Sequence, residues 1–431
     1  MKLNKKQILL SVLCLILVAA ITFTVTFFAT RAAYKSPFEE IDPETVDLEK
    51  LNYFLKVYTE FSLYGLPEDV DLTEYLLYAI VGLSADRYDA YFSPVEYEDY
   101  TNTMAGTVYG IGVLVEQPAE DACEYILILD AFEDSGAGRA GLESGDRIVA
   151  INGVPVSEVG YEASVASIAG QMGTTVEITY LRGSDPTPKT CSPVRGACTR
   201  DTVYSYIDGD VGYIRITTFE SVTTAQFIAA VSAMEEAGVS GIVFDVRGNG
   251  GGLLRTVSEM LAYLLPDGTI GSVDYKSERY TDYTIYSQGD TLYMKEAYTT
   301  DTFGGDIQVA HQLSVPVVIL TDENTASAAE LFTAALKETS EAGNFVPVTL
   351  VGGTTYGKGT MQTTFPLKDG SYMKMTVAKY NPPSGNNYDG EGIDPDHKAE
   401  TTVTSNQLYL IDPEEDAVRQ MAIQLLRGAQ N

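Results

Sequence analysis

Histidine is nearly absent from this chain of 431 residues: it occurs at positions 311 and 397 only, and neither lies in a recognisable motif. Local sequence therefore gives no support to a mechanism with histidine as its base. Basic residues are also scarce, 28 against 60 acidic, for a formal charge of −32. That balance argues against a nucleic-acid partner, whose phosphates need a basic face, and against adsorption of the folded part to anionic lipid. The acidic excess reads as a solubilising surface. Cysteine is limited to Cys14, Cys123, Cys191 and Cys198, with no CxxC or metal-ligand spacing. Cys191 and Cys198 are close enough for a small loop disulfide, which an exported location would permit.

What is present is 45% hydrophobic residues in a length that suits two or three domains with packed cores. Lys2, Lys5 and Lys6 precede an uncharged apolar run of 23 residues, Ile8 to Thr30. A bilayer needs roughly 20, and the core of a cleavable signal peptide is roughly 7–15. The run is expected to be a transmembrane signal anchor, with a cytosolic tip and the rest of the chain outside the cytoplasm. The expected divisions are 1–35 for the tip and anchor, and 36–104 for a stalk and helical region. A β-rich module takes 105–184 and an α/β domain 185–431.

Within 36–104, apolar residues recur at helical spacing over Leu51–Tyr64 and Leu72–Leu83. From 107 to 183 the pattern changes to short strands punctuated by glycine, with an Asn152-Gly153 hairpin signal. Residues 184–200 are polar and proline-containing, which reads as a linker or inserted loop. From 211 to 400, strand runs (Val211–Ile216, Gly241–Val246, Val315–Thr321, Val346–Val351, Tyr372–Tyr380) alternate with helical patterns (Phe227–Ala237, Leu253–Leu265, and one beginning near Ser327). Such alternation argues an α/β core with a mainly parallel sheet, whose site lies beyond the C-terminal strand ends.

Three segments follow strands of that pattern. The first is Arg247-Gly248-Asn249-Gly250-Gly251-Gly252, which suits a phosphate cradle, an oxyanion hole or a tight turn equally well. The second is Thr325-Ala326-Ser327-Ala328-Ala329-Glu330, which presents a serine at a helix N-terminus. The third is Gly357-Lys358-Gly359-Thr360-Met361-Gln362. Alone, Ser327 is an ordinary helix cap and Lys358 a surface-loop residue. Together they supply a nucleophile and, if burial keeps the lysine neutral, a base.

These motifs, in order, resemble those of the carboxyl-terminal processing proteases, tail-specific serine peptidases that carry a PDZ domain. Val211-Gly212-Tyr213-Ile214-Arg215-Ile216, Pro383-Ser384-Gly385 and Gly392-Ile393-Asp394-Pro395-Asp396 extend the match. The resemblance covers about Leu48 to Leu426. With the anchor read from Ile8–Thr30, it implies a multidomain α/β protein: an N-terminal transmembrane helix, a helical segment, a PDZ domain and an α/β serine protease core. Ser327 would be the nucleophile, Lys358 the base, Gln362 its orienting partner, and the N–H groups of Ala328 and Gly251 the oxyanion hole. The Ala137–Gly153 run resembles PDZ domains of the protease-associated kind. By that likeness Tyr109, Gly110, Ile111 and Gly112 would hold a chain-terminal carboxylate. The peptide would add beside a strand starting at Ile111, with Val165 or Ile168 lining the pocket. The implied partners are protein or peptide substrates with free C-termini, with no metal or organic cofactor and no nucleic acid; a homo-oligomer or regulatory partner is compatible. The implied location is the cell membrane, single-pass, with the catalytic part extracytoplasmic. Two departures stand out: Lys358 follows Ser327 by 31 residues, a few more than usual, and Gly250 replaces a frequent proline. A tail-binding scaffold without activity and a Ser/Lys hydrolase of small amides are the alternatives.

Overall fold

The computed structural model describes residues 47–63, 71–117, 124–278, 280–289, 291–296, 300–302, 313–400 and 403–428. The expected anchor, Ile8–Thr30, lies outside them, and among the described residues no helix is long and apolar enough to cross a membrane. The chain divides into two units, up to Thr73 and from Glu74 onward. The first holds α1 (Leu48–Phe61), capped by the Asp47 carboxylate on the Lys50 N–H and with no buried residue.

The second unit takes in most of α2 (Leu72–Gly82), then β1 (Ala90–Phe92) and α3 (Pro94–Met104). Ser93 and Glu96 form a reciprocal capping box at the start of α3, with Pro94 at its first position. A glycine-rich turn then joins β2 (Thr107–Gly110) to the PDZ-like sheet. That sheet comprises β3 (Val113–Glu116), β4 (Ile126–Ala131), β5 (Arg147–Ile151), β6 (Val154–Pro155), β7 (Ile178–Leu181) and β8 (Lys189–Cys191). Between its strands run α4 (Gly136–Arg139), α5 (Val156–Val159) and α6 (Tyr161–Ile168). Ile126, Ile128, Ile148, Val156 and Ile178 fill its core with almost no exposure.

The segment read as a linker is structured. β8 extends this sheet and β9 (Gly196–Thr199) pairs with β2, so backbone pairing rather than side-chain pattern orders it. Cys191 and Cys198 fall on these two strands and are free thiols, not the loop disulfide that their spacing permits.

The α/β core is built on a six-stranded sheet. Its strands are β10 (Val203–Asp208), β11 (Val211–Ile216) and β12 (Gly241–Asp245), with α7 (Thr223–Glu236) between the last two. After α8 (Leu254–Leu264) the chain leaves for a second, antiparallel sheet: β13 (Gly268–Tyr275), β14 (Tyr283–Gln288), β15 (Thr291–Glu296) and β16 (Thr300–Thr302). It returns with β17 (Val317–Thr321), α9 (Ala328–Glu341) and β18 (Val348–Gly352). It then crosses again to β19 (Thr360–Pro366) and β20 (Tyr372–Asn381), and ends with β21 (His397–Lys398) and α10 (Ala417–Gly428). The order of the first sheet is β10-β11-β12-β17-β18-β21, with every pair parallel except β10–β11. Phe219, Phe227, Phe244 and Phe332 meet in the main core with ring centroids 5.5–6.0 Å apart. Phe332 comes from α9, so the aromatic cluster fixes the helix behind Ser327. On the opposite face, Val418, Ala422, Ile423 and Leu426 of α10 pack against Val243, Val318 and Leu320.

Candidate active site

The parallel strands β12, β17 and β18 lie side by side, so the turns leaving their C-terminal ends converge. The turn after β17 is latched to the one after β12. Asp322 accepts hydrogen bonds from the N–H groups of Gly248 and Asn324, both at 3.0 Å, and from the Thr325 hydroxyl at 3.1 Å. The Ala326 N–H donates to the Asn249 carbonyl at 2.9 Å, and Asn249 is tied in turn to the Ile216 carbonyl at 2.8 Å.

Ser327 follows with φ 59° and ψ −120°, one of only two non-glycine residues at positive φ among those described. An L-residue adopts this conformation only where surrounding structure enforces it, at a cost of about 1–3 kcal/mol. The Glu330 N–H donates to the Ser327 carbonyl at 2.9 Å, which closes the first turn of α9 on the serine backbone. The enforcing group is Glu330, one turn into α9 and fully buried. Its carboxylate accepts from the N–H groups of Ser327 (2.9 Å), Gly357 (2.7 Å) and Lys358 (2.8 Å), and from the Thr355 hydroxyl (2.6 Å). One side chain thus fixes the backbone of both the serine and the lysine. The sequence signal was available, because Ser327 and Glu330 have capping-box spacing. The bonds to residues 25–28 positions away were not.

Lys358 is half-buried. Burial, then the neighbouring Lys374 ammonium, push its pKa down to about 8; Arg87 acts the same way, while Asp86 and Glu330 oppose. Its Nζ lies 3.7 Å from the centre of the Tyr88 ring, on the turn before β1. Ser327, Ala328, Lys358 and Gln362 line one cleft of about 280 Å³, together with Tyr100, Met104, Gly250, Gly252, Lys374 and Tyr380. Tyr380, pushed up in pKa by burial, donates to the Lys358 carbonyl at 2.7 Å. Gln362 sits on β19 with its Nε2 donating to Thr376 Oγ1 at 2.8 Å.

Gly251 packs directly on the serine, since a Cβ there would lie 2.7 Å from Ser327 Cβ and 3.0 Å from the Ala328 nitrogen. Its N–H, however, donates to Asn249 Oδ1 at 2.8 Å. An oxyanion hole that includes it requires this bond to give way.

In the PDZ-like domain, Tyr109 and Gly110 end β2 rather than forming a free loop, and the following strand begins at Val113, not Ile111. Ile111 is buried in the domain core because its side chain points in beside Ile128 and Ala137. Gly112 is closed in as well: a Cβ would meet Ser135 Cβ at 2.2 Å and Cys198 Sγ at 2.8 Å. Val165 and the buried Ile168 both contribute to the core. β3 stands at one end of the sheet order, an edge on which a peptide strand could pair.

A strained serine at a strand-to-helix turn, a lysine of lowered pKa in the same cleft and a PDZ-like module define a class, and comparison with known proteins gives it a name. Residues 210–399 match the model of peptidase family S41, and residues 103–181 match the PDZ domain. The chain belongs to the carboxyl-terminal processing proteases of that family. It is 31% identical to the carboxy-terminal processing protease CtpA of Bacillus subtilis, over 84% of this chain and 71% of that protein. It is likewise 31% identical to the carboxyl-terminal-processing protease of a Picosynechococcus strain, over 74% of this chain and 70% of that one. The crystal structure of a Bacteroides fragilis protein shares the fold, with a TM-score of 0.54 and 14% identity over 92% of this chain and all of that one.

Proposed function

We propose that this chain is a membrane-anchored, extracytoplasmic serine endopeptidase that cuts protein substrates near their C-termini with a Ser327/Lys358 dyad. The observation that carries the reading is Glu330, which holds the strained Ser327 and the half-buried Lys358 in one frame. In the forward step the Ser327 Oγ attacks the scissile carbonyl carbon and its proton passes to the neutral Lys358 Nζ. The oxyanion that forms is met by the Ala328 N–H at the start of α9 and by the Gly251 N–H once it leaves Asn249. As the C–N bond breaks, Lys358 returns the proton to the leaving amine, and a water repeats the sequence to free the acyl-enzyme. Gln362, held by Thr376 through its nitrogen, keeps its amide oxygen available to orient the lysine. Tail recognition is assigned to the β3 edge of the PDZ domain, with Gly110 as the open glycine beside it, since a Cβ there meets nothing within 4 Å. Anchoring is assigned to Ile8–Thr30.

The test is incubation of the full chain in detergent with an unfolded protein, comparing wild type with Ser327→Ala, Lys358→Ala and the double variant. Each single change should abolish cleavage while the melting transition persists. The double should be little worse than either, because the two groups act as a unit. Appreciable cleavage by Ser327→Ala would remove the dyad from the mechanism.

A further inference from the structure

Lys374 faces the catalytic cleft without a role in the steps above. It lies on β20, opposite Thr364 of β19 and Ala90 of β1, and two residues before Thr376, which holds Gln362. It lines the same cleft as Ser327 and Lys358. Its ammonium sits 5.4 Å from the ring centres of both Phe92 and Tyr100. The acid acting on it is Asp89, whose carboxylate is already engaged by the Thr376 N–H at 3.0 Å and the Ser84 hydroxyl at 2.7 Å. Lys374 forms no ion pair with a described carboxylate, in a chain with 60 acidic residues to 28 basic. A half-buried cation on an aromatic floor lacks its counter-charge, and a charge held away from water is stabilised when one arrives.

We propose that Lys374 is a specificity-determining residue that receives a carboxylate of the bound polypeptide, supplied either by its C-terminus or by an aspartate or glutamate near the scissile bond. The assignment rests on the reading of this cleft as the peptidase site, and it adds a substrate preference to that reading. It has a second consequence for Lys358. The groups facing Lys358 are Asp86, Arg87 and Tyr88 before β1, Glu330 on α9 and Lys374 on β20; those facing Lys374 are Asp89, Phe92, Tyr100 and Lys358 itself. Removing the Lys374 charge takes away a repulsion that favours neutral Lys358, so the acid limb of activity moves to higher pH.

The experiment uses the full chain as wild type, Lys374→Met and Lys374→Arg. One set of fluorogenic peptides has amidated ends and carries Glu or Gln at successive positions around the cut. A second set is a free-acid and amide pair without acidic side chains. Wild type should favour the carboxylate member of one set by roughly tenfold in kcat/KM, mainly through KM, as a charge-assisted contact provides. The ratio should fall near one in Lys374→Met and recover in Lys374→Arg. A Glu/Gln preference identifies a side chain as the source, and an acid/amide preference alone identifies the terminus. Wild type that cleaves with the same ratios as Lys374→Met overturns this assignment alone. Wild type that cleaves none of the peptides overturns the dyad reading, and this assignment with it.

Discussion

In the proposed dyad, Lys358 accepts the Ser327 proton only after losing its own. Its pKa is pushed down to about 8, first by burial and then by Lys374. The neutral fraction therefore rises with pH through that value and falls about tenfold per unit below it. The expected profile of kcat/KM is a single ascending limb near pH 8 that levels off above. The Tyr88 ring opposes this by favouring the charged form from 3.7 Å. Tyr88→Leu should accordingly move the limb toward lower pH, read from the same profile. Activity that is flat from pH 6 to 9 would count against a lysine base.

At the scale of elements, the first turn of α9 holds the site together. Glu330→Gln keeps the size of the side chain but replaces one acceptor oxygen with an N–H₂ that faces donors. At least two of the four incoming hydrogen bonds are lost. The stability cost is about 2–3 kcal/mol, read from the denaturant midpoint, and kcat should fall a hundredfold or more with KM little changed. A variant with normal kcat would mean that the serine turn is held by the Asp322 and Asn249 latches instead. The same elements show what the sequence made legible. β12, β17 and β18 are buried on both faces and read as apolar runs, so the strands and the turns beyond them were visible, though not their order in the sheet. Ser327 and Lys358 were visible because their flanking residues form ordered motifs. β14 was not: Tyr283, Ile285 and Ser287 are buried in alternation with half-exposed neighbours, and a serine among the inward residues dilutes the signal. Nor could Gln362 be matched with Thr376, or Lys374 be brought to the cleft, because the β19–β20 register that aligns them exists only in the fold.

For the whole molecule, the C-terminal helix is tied to the strand that carries the glycine-rich turn. Arg247 is fully buried and bonds Asp416 through both terminal nitrogens, at 3.0 and 2.6 Å, while its Nε reaches Asp245 Oδ1 at 2.9 Å. Tyr213 adds its hydroxyl to Asp245 at 2.6 Å. Burial raises the Asp245 pKa, but the arginine outweighs it and the carboxyl is held below its ordinary range. Arg247→Met leaves two buried carboxylates unpaired, at a cost of about 3–5 kcal/mol. Chemical denaturation should show that loss, and limited proteolysis should cut near Pro413 as α10 detaches. Loss of less than about 1 kcal/mol would mean that the apolar face of α10 holds it without the clasp. Polar contacts between the PDZ domain and the same body include Tyr204 to Asp130 at 2.6 Å and Asn406 to Glu116 at 2.8 Å.

The backbone at Ser327 sets durability against purpose. Glycine is the residue that would sit at φ 59° and ψ −120° without strain, and glycine has no hydroxyl to offer. Selection for heat resistance alone would therefore favour glycine here, the substitution that removes the nucleophile proposed above. A lineage that keeps serine here does so against the pull of its own folding free energy, and must recover the difference in packing elsewhere in the molecule.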